Sequence, residues 1–169
     1  HKLIEECMLL ANVAAAEYAL QHDVPMLYRI HEPPEFSRIQ KVRDFVKLLG
    51  LPFPEQPTQK DYQAVIDATK DRIDAPSIHA VLLRSMMQAY YGANNAGHFG
   101  LAYEAYTHFT SPIRRYPDLL LHRAIKAKLK HKPAPLSGAA LDDAGQHFSA
   151  TERRADEASR SVTTWLKCH

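Results

Sequence analysis

The sequence predicts a mostly helical α+β fold in which a few strands pack under several helices. Residues Lys2 to Gln21 contain neither Pro nor Gly and repeat apolar side chains at helical spacing. A second long segment, Leu141 to Lys167, alternates apolar steps of three and four. From Phe99 the apolar period changes from helical to alternating, which marks a strand.

The first helix places Leu3, Cys7, Leu10 and Ala14 on one face, with Ala-rich filler that favours helix. Its other side carries Glu5 and Asn12, seven residues apart and therefore on one face. Pro25 to His31 reads as a strand, with Met26, Tyr28 and Ile30 on one parity and Pro33-Pro34 ending it. Phe36, Ile39, Val42, Phe45, Val46 and Leu49 give a second helix, stopped by Gly50 and Pro52, and residues 51–59 form a Pro-rich loop. Thr58 and Asp61 are a capping pair for a helix around Tyr62 to Thr69. Pro76-Ser77 opens a helix through Ile78, Val81, Leu82, Met86 and Tyr90 that ends at Gly92, and Met86 and Met87 read as core packing. The strand from Phe99 to Tyr106 then leads directly into Thr110-Ser111-Pro112. Asp118 to Lys130 is helical, and Lys132 to Ser137 is a Pro-bearing linker. In the last helix Leu141, Ala144, Phe148, Thr151, Ala155, Ala158, Val162 and Trp165 form a narrow seam that calls for a partner helix. Arg153, Arg160 and Lys167 form a basic stripe on the same helix, which reads as a solvated face partnered by Asp156 and Glu157.

A chain of 169 residues with 46% apolar composition buries about 70% of its unfolded surface, enough for one real core and at most two small ones. One compact domain is the expectation. The first residue is His1 and both ends fall inside helical segments, which suggests a piece of a longer chain; a processed complete protein would also begin without Met. Lys+Arg 21 against Asp+Glu 19 gives a net charge of +2. That is too little for binding nucleic acid through bulk charge, so any anion site is local. Cys7 and Cys168 lie at opposite ends without a disulfide framework, and no apolar run is long enough to span a bilayer. A reduced, cytoplasmic compartment without a membrane partner follows. The ten histidines include no His-x-x-x-His spacing and read as dispersed.

The junction Ser111-Pro112-Ile113-Arg114-Arg115 has the ingredients of an anion site. Ser is a favoured N-cap, Pro is favoured at the first helical position, and free backbone N–H groups point outward at a helix start. The planar fork of Arg matches a phosphate bidentately, which favours a phosphodiester over a lone carboxylate. Pro117 interrupts a helix begun at Pro112, so the expectation is a tight turn at residues 112–115 and a second helix start near Tyr116 to Asp118. A capped helix with surface arginines accounts for the same residues.

Gly97-His98-Phe99-Gly100-Leu101-Ala102, followed by Glu104-Ala105-Tyr106, by His108-Phe109-Thr110-Ser111-Pro112-Ile113-Arg114-Arg115-Tyr116-Pro117-Asp118-Leu119 and by His122-Arg123, resembles the signature of ribonuclease II-type catalytic domains. The Tyr-Pro-Asp ending is closer to the ribonuclease R branch of that family. Glu5-Glu6-Cys7-Met8 with Ala11-Asn12, and the late Glu152-Arg153-Arg154-Ala155-Asp156-Glu157-Ala158, resemble other elements of the same domain. The resemblance implies a processive 3′-to-5′ hydrolase that feeds single-stranded RNA down a channel and releases nucleoside monophosphates with divalent metal, Mg²⁺ in the parent enzyme. It implies that Arg114 contacts the scissile phosphate and that Glu5 helps hold the terminal nucleotide, with Asn12, Thr110, Ser111 and Arg115 as further RNA-binding residues. Both leading roles fit the chemistry, since a guanidinium balances charge developing on phosphoryl oxygens and a carboxylate accepts a bond from a ribose hydroxyl.

The family holds its metal through a tight cluster of aspartates in an earlier part of the domain, with aromatics that clamp the terminal bases. No such cluster occurs here; Asp142-Asp143 reads as ordinary charge at a helix N-terminus. The family's flanking cold-shock and S1-type domains are absent as well. Residues 1–169 are therefore expected to be the C-terminal half of an RNB catalytic domain, one unit of a parent longer at both ends. The metal ligands then lie outside this chain, and the isolated piece is inactive. A non-catalytic helical module that binds RNA or a protein through the same corner is the alternative.

Overall fold

A computed structural model describes residues 1–168, and among them six α-helices and a two-stranded sheet form. In chain order these are α1 (Lys2–Gln21), β1 (Tyr28–Ile30), α2 (Phe36–Leu48), α3 (Gln59–Thr69), α4 (Ala75–Ser85), β2 (Tyr90–Gly92), α5 (Tyr116–Leu129) and α6 (Ala139–Cys168), with a 3-10 turn at Phe99–Leu101. Their contacts divide into two compact units. The first comprises His1–Ile30, Tyr90–Ala96 and the chain from Ala105 onward; the second comprises His31–Ala89 and Gly97–Glu104.

In the first unit α1 buries Asn12, Ala15, Ala16 and Ala19. The expected face is overturned: Leu3 is 76% and Leu10 64% exposed. Three alanines on one face let the helix lie close to Met26, Tyr28 and Ile30 and to Leu121 and Ala124 of α5, which the larger side chains near its N-terminus would prevent. The helix ends without glycine. Asp23 takes the left-handed conformation (φ 50°) and Val24 N–H reaches back to the Ala19 carbonyl at 2.8 Å.

β1 pairs antiparallel with β2 in the register Tyr28↔Gly92, Arg29↔Tyr91, Ile30↔Tyr90. The central pair turns its amides outward. Arg29 N–H donates to the Tyr106 carbonyl at 2.8 Å, and Tyr91 N–H donates to Ser149 Oγ of α6 at 2.8 Å. One turn before Ser149, a Cβ on Gly145 would stand 2.9 Å from the Tyr91 carbonyl oxygen, so only hydrogen fits where the helix meets the strand. Arg29 also pairs with Glu152 at 2.6 Å and lies 4.7 Å from the centroid of the Tyr91 ring. The expected seam on α6 is therefore corrected. Leu141, Gly145 and Ser149, at steps of four, are its buried positions, and Phe148 is partly buried beside them. Trp165 is 60% exposed, and no described element of this unit covers the later half of the seam.

In the second unit α2, α3 and α4 enclose Val42, Val46, Tyr62, Val65, Ile78 and Leu82. The Thr58–Asp61 capping box forms, with Thr58 N–H and Oγ each donating to Asp61 Oδ2 at 2.7 Å, and the Thr58 hydroxyl above all holds the Asp61 carboxyl below its ordinary value. Two expectations fail here. The helix expected to reach Tyr90 stops at Ser85, whose hydroxyl donates to the Leu82 carbonyl at 2.6 Å, and Met86 is extended, so Tyr90 joins a strand. Phe99 to Tyr106 is not a strand: Phe99–Leu101 forms the 3-10 turn and Ala102 adopts φ 56°. The bend follows from His31. Its Nδ1 accepts the Gly100 N–H at 2.8 Å, its Nε2 donates to the Met87 carbonyl at 2.7 Å, and a Cβ on Gly100 would stand 2.7 Å from Nδ1.

Burial pushes the Tyr91 phenol from 10.0 up to about 12. The folded chain thus holds this proton more tightly than the unfolded chain does. Its contribution to stability is complete below pH 10 and is lost as pH rises toward 12. Thermal melts followed by circular dichroism are expected to show the Tm of the native chain falling more steeply across that range than that of Tyr91→Phe; parallel curves would contradict the assignment. Tyr28 and Tyr62, also raised by burial, contribute equally to both proteins.

Candidate functional site

The segment from Tyr106 to Arg115 lies in the first unit, and side chains from two helices hold it. From α1, Asn12 Oδ1 accepts the N–H groups of Phe109 (2.9 Å) and Thr110 (3.2 Å), while its Nδ2 donates to Tyr106 Oη (2.9 Å). Asn12 is 4% exposed, so its whole amide serves this loop. From α5, His122 Nε2 donates to the Phe109 carbonyl at 2.9 Å, and its ring stacks on Phe109 at 4.1 Å between centroids.

Asp118 holds the other end. In the first turn of α5, with 0% exposure, it accepts Ser111 N–H on Oδ1 at 2.8 Å, Arg115 Nη2 on the same oxygen at 2.8 Å and Arg115 Nε on Oδ2 at 2.9 Å. A carboxylate is favoured near the positive end of the helix dipole, and the bidentate fork matches it. The amides of Arg114 and Arg115 both turn inward to the Ser111 carbonyl, at 3.2 and 3.0 Å. Two sequence expectations meet this geometry. The tight turn and the second helix start at Tyr116 form as expected. The outward-pointing amides at 114 and 115 do not, because Ser111 caps the turn through its carbonyl and leaves anion recognition there to side chains.

The turn therefore displays Ile113 and Arg114 to solvent. The Arg114 guanidinium has no hydrogen bond or ion pair among the described residues, whereas that of Arg115 beside it is committed to Asp118. Beside the turn lies a cavity of about 290 Å³ lined by Arg114, Arg115, Tyr91, Tyr116, Phe148 and Glu152. Glu152 is already paired with Arg29 and the Arg115–Asp118 pair is internally neutral, which leaves Arg114 and the exposed carboxylate of Asp156, also in the cavity lining, as the charges outside those pairs. Tyr91 completes one wall and bonds through its hydroxyl to His108 Nδ1 at 2.8 Å.

Of the residues singled out from the sequence, Asn12, Thr110, Ser111 and Arg115 join one hydrogen-bonded frame, and Arg114 stands at its exposed tip. Glu5 is exposed on α1, two turns before Asn12, and its carboxylate makes no hydrogen bond among the described residues. Asp118 stands inside the sequence motif, where no role is expected of it. The signal was available, since an acidic residue in the first turn of a helix, three residues after an arginine, is a recognisable clamp. Arg29 and Tyr91 carried no such signal, because pairing across the sheet brings them here.

A larger cavity of about 750 Å³ lies between β2 and α6, lined in part by Tyr90, Asn94, Asp142, Gln146 and Arg153. Size alone favours it, but its one carboxylate and one guanidinium are not tied into a frame. For a metal, the donor set decides. Among the described residues no group of three or more His, Cys, Asp or Glu side chains is placed to hold an ion, and Asp118, beside the turn, has its oxygens filled by Arg115 and Ser111. The residues present do not fit a catalytic metal site.

The chain matches the family model described as RNB domain over residues 1–131. It is 46% identical over 181 residues to Ribonuclease R of Escherichia coli (strain K12), an alignment covering 99% of this chain and 22% of that protein. Among solved structures, Mycoplasma genitalium RNase R in complex with ribose methylated single-stranded RNA superposes with a TM-score of 0.86 at 27% identity, over 97% of this chain and 27% of that one. Yeast Ssd1, a pseudonuclease, superposes with a TM-score of 0.75 at 26% identity, over 86% of this chain and 19% of that one. The chain thus spans about a fifth to a quarter of the length of the curated relatives it matches.

Thr110 Oγ1 is buried and, among the described residues, has no hydrogen-bond partner. An unsatisfied hydroxyl costs about 1–3 kcal/mol. Thr110→Val, which deletes it at similar volume, is expected to raise the unfolding free energy in urea by about 1 kcal/mol, with no gain from Thr110→Ser. A loss of stability in Thr110→Val would show that the hydroxyl is satisfied.

Proposed function

The chain belongs to the RNB domain family, and from that premise we propose that it is part of a processive, hydrolytic 3′-to-5′ exoribonuclease that degrades single-stranded RNA to nucleoside monophosphates. The observation that carries the proposal is Arg114: a solvent-facing guanidinium without a protein partner, at the tip of a turn whose second guanidinium, Arg115, and whose Ser111 N–H are bonded inward to Asp118. Its fork spans two non-bridging phosphoryl oxygens and balances the charge they gain as water attacks phosphorus and the ribose oxygen leaves. Glu5, exposed and unbonded, accepts a hydroxyl of the terminal ribose, the group that separates RNA from DNA. Asn12, Thr110, Ser111 and Arg115 complete the RNA site as the frame that aims Arg114.

The chain acts, in this proposal, as the C-terminal half of the catalytic domain of a longer polypeptide. The earlier half supplies the magnesium ligands and the base-clamping aromatics, and cold-shock and S1-type domains flank the whole. No step assigned to the residues of this chain runs through the metal. RNA as substrate agrees with the RNA-bound Mycoplasma genitalium RNase R among the solved structures. A cytoplasmic location agrees with two exposed, unpaired cysteines and with the lack of any described helix long and apolar enough to cross a membrane.

The likeness to a pseudonuclease favours a second reading, a module that binds RNA or a protein without cleaving. Arg114 separates the two. In the full-length enzyme, Arg114→Ala is expected to lower turnover by about 100-fold or more, and Arg114→Lys to restore little of it because the fork is lost. Full turnover in Arg114→Ala with weakened RNA binding would leave only the non-catalytic reading. The isolated chain, mixed with single-stranded RNA and Mg²⁺, is expected to release no mononucleotide, and appreciable cleavage would contradict the division of the site between two halves.

A further inference from the structure

Arg114 and Arg115 are neighbours of identical chemistry with opposite surroundings. Two of the three guanidinium nitrogens of Arg115 face a carboxylate with no solvent exposure, at 2.8 and 2.9 Å, and that carboxylate also takes the Ser111 amide at 2.8 Å. Arg114 faces solvent. We propose that Asp118 and Arg115 act together as a positioning clamp for Arg114: the pair sets the angle of the 112–114 turn and keeps the second guanidinium from competing for the phosphate. This rests on the reading of Arg114 given above.

Three features of the geometry carry the inference. The clamp spans the turn at its base, joining the residue before Pro112 to the first turn of α5, so the direction in which residues 112–114 project depends on it. Its charges cancel at contact distance, so Arg115 adds little net positive field beside Arg114. Asn12 fixes Phe109 and Thr110 from the other side, and the segment that remains free to swing is the turn itself. An arginine whose role was to add charge would not need a buried carboxylate gripping its fork. A positioning pair does, because displacements of about 1 Å cost on the order of 100-fold in rate.

The test is a double-mutant cycle in the full-length enzyme, with single-turnover cleavage of a single-stranded oligoribonucleotide, RNA affinity measured without metal, and thermal melts. Asp118→Asn is expected to lower turnover by about 30- to 100-fold with RNA affinity held within about 3-fold. Arg115→Lys, which keeps the charge and loses the fork, is expected to do the same. In the Arg114→Ala background, Asp118→Asn is expected to add less than about 3-fold, because the clamp has nothing left to aim. A full multiplicative loss in that background, with Arg114→Ala itself slow, would overturn the clamp and leave the role of Arg114 standing. Unchanged turnover in Arg114→Ala alone would overturn both. If Asp118→Asn loses its cooperative melt, the cycle is decided by Arg115→Lys, which keeps a positive charge beside the buried carboxylate and so costs the fold less.

Discussion

A carboxylate withdrawn from water needs a donor for each oxygen and a positive charge nearby, and Asp118 finds both within seven residues of its own chain. Without Arg115 it would be a buried, unpaired charge, which is strongly destabilising; without Ser111 it would lose the donor that ties it to the preceding loop. The arrangement converts a run with one exposed turn into a corner of defined shape. Everything proposed for Arg114 depends on that corner, since a long flexible side chain is only as well aimed as the backbone that carries it.

The same economy appears where the sheet meets its neighbours. Two strands of three residues each are too short to hold themselves together. The Arg29–Tyr91 pair is completed by the Tyr106 carbonyl on one side and the Ser149 hydroxyl on the other, while Gly145 removes the side chain that would keep α6 at a distance. Arg29 then serves the sheet, Glu152 and the Tyr91 ring together. The first unit is built around polar contacts that converge on the loop from residue 106 to 115, and its apolar core lies behind them.

Much of this was legible along the chain. The helices were visible because periodicity, capping residues and Pro or Gly stops agree: Thr58 with Asp61 forms its box, and Pro117 does force a new helix start. The strands were less so. Phe99 to Tyr106 alternates as a strand does, yet His31 and Gly100 bend it, and the pairing strand is Tyr90–Gly92, hidden at the end of a helical pattern. The seam of α6 is covered from Leu141 to Thr151 and open beyond, and the apolar side of α1 follows the right period on the wrong face, because periodicity states that a face exists and not what covers it.

What the sequence determined by itself was the family likeness, the helical character and the place of the functional corner, since each is written in residues close together along the chain. Tertiary structure alone decided that Asn12 faces inward while Glu5 on the same side of the helix faces out, and that Tyr91 and Arg29 stand beside the corner. Those outcomes depend on burial and on partners up to 123 residues away. Local spacing sets the direction of a side chain relative to its own helix, and only packing sets what it meets there.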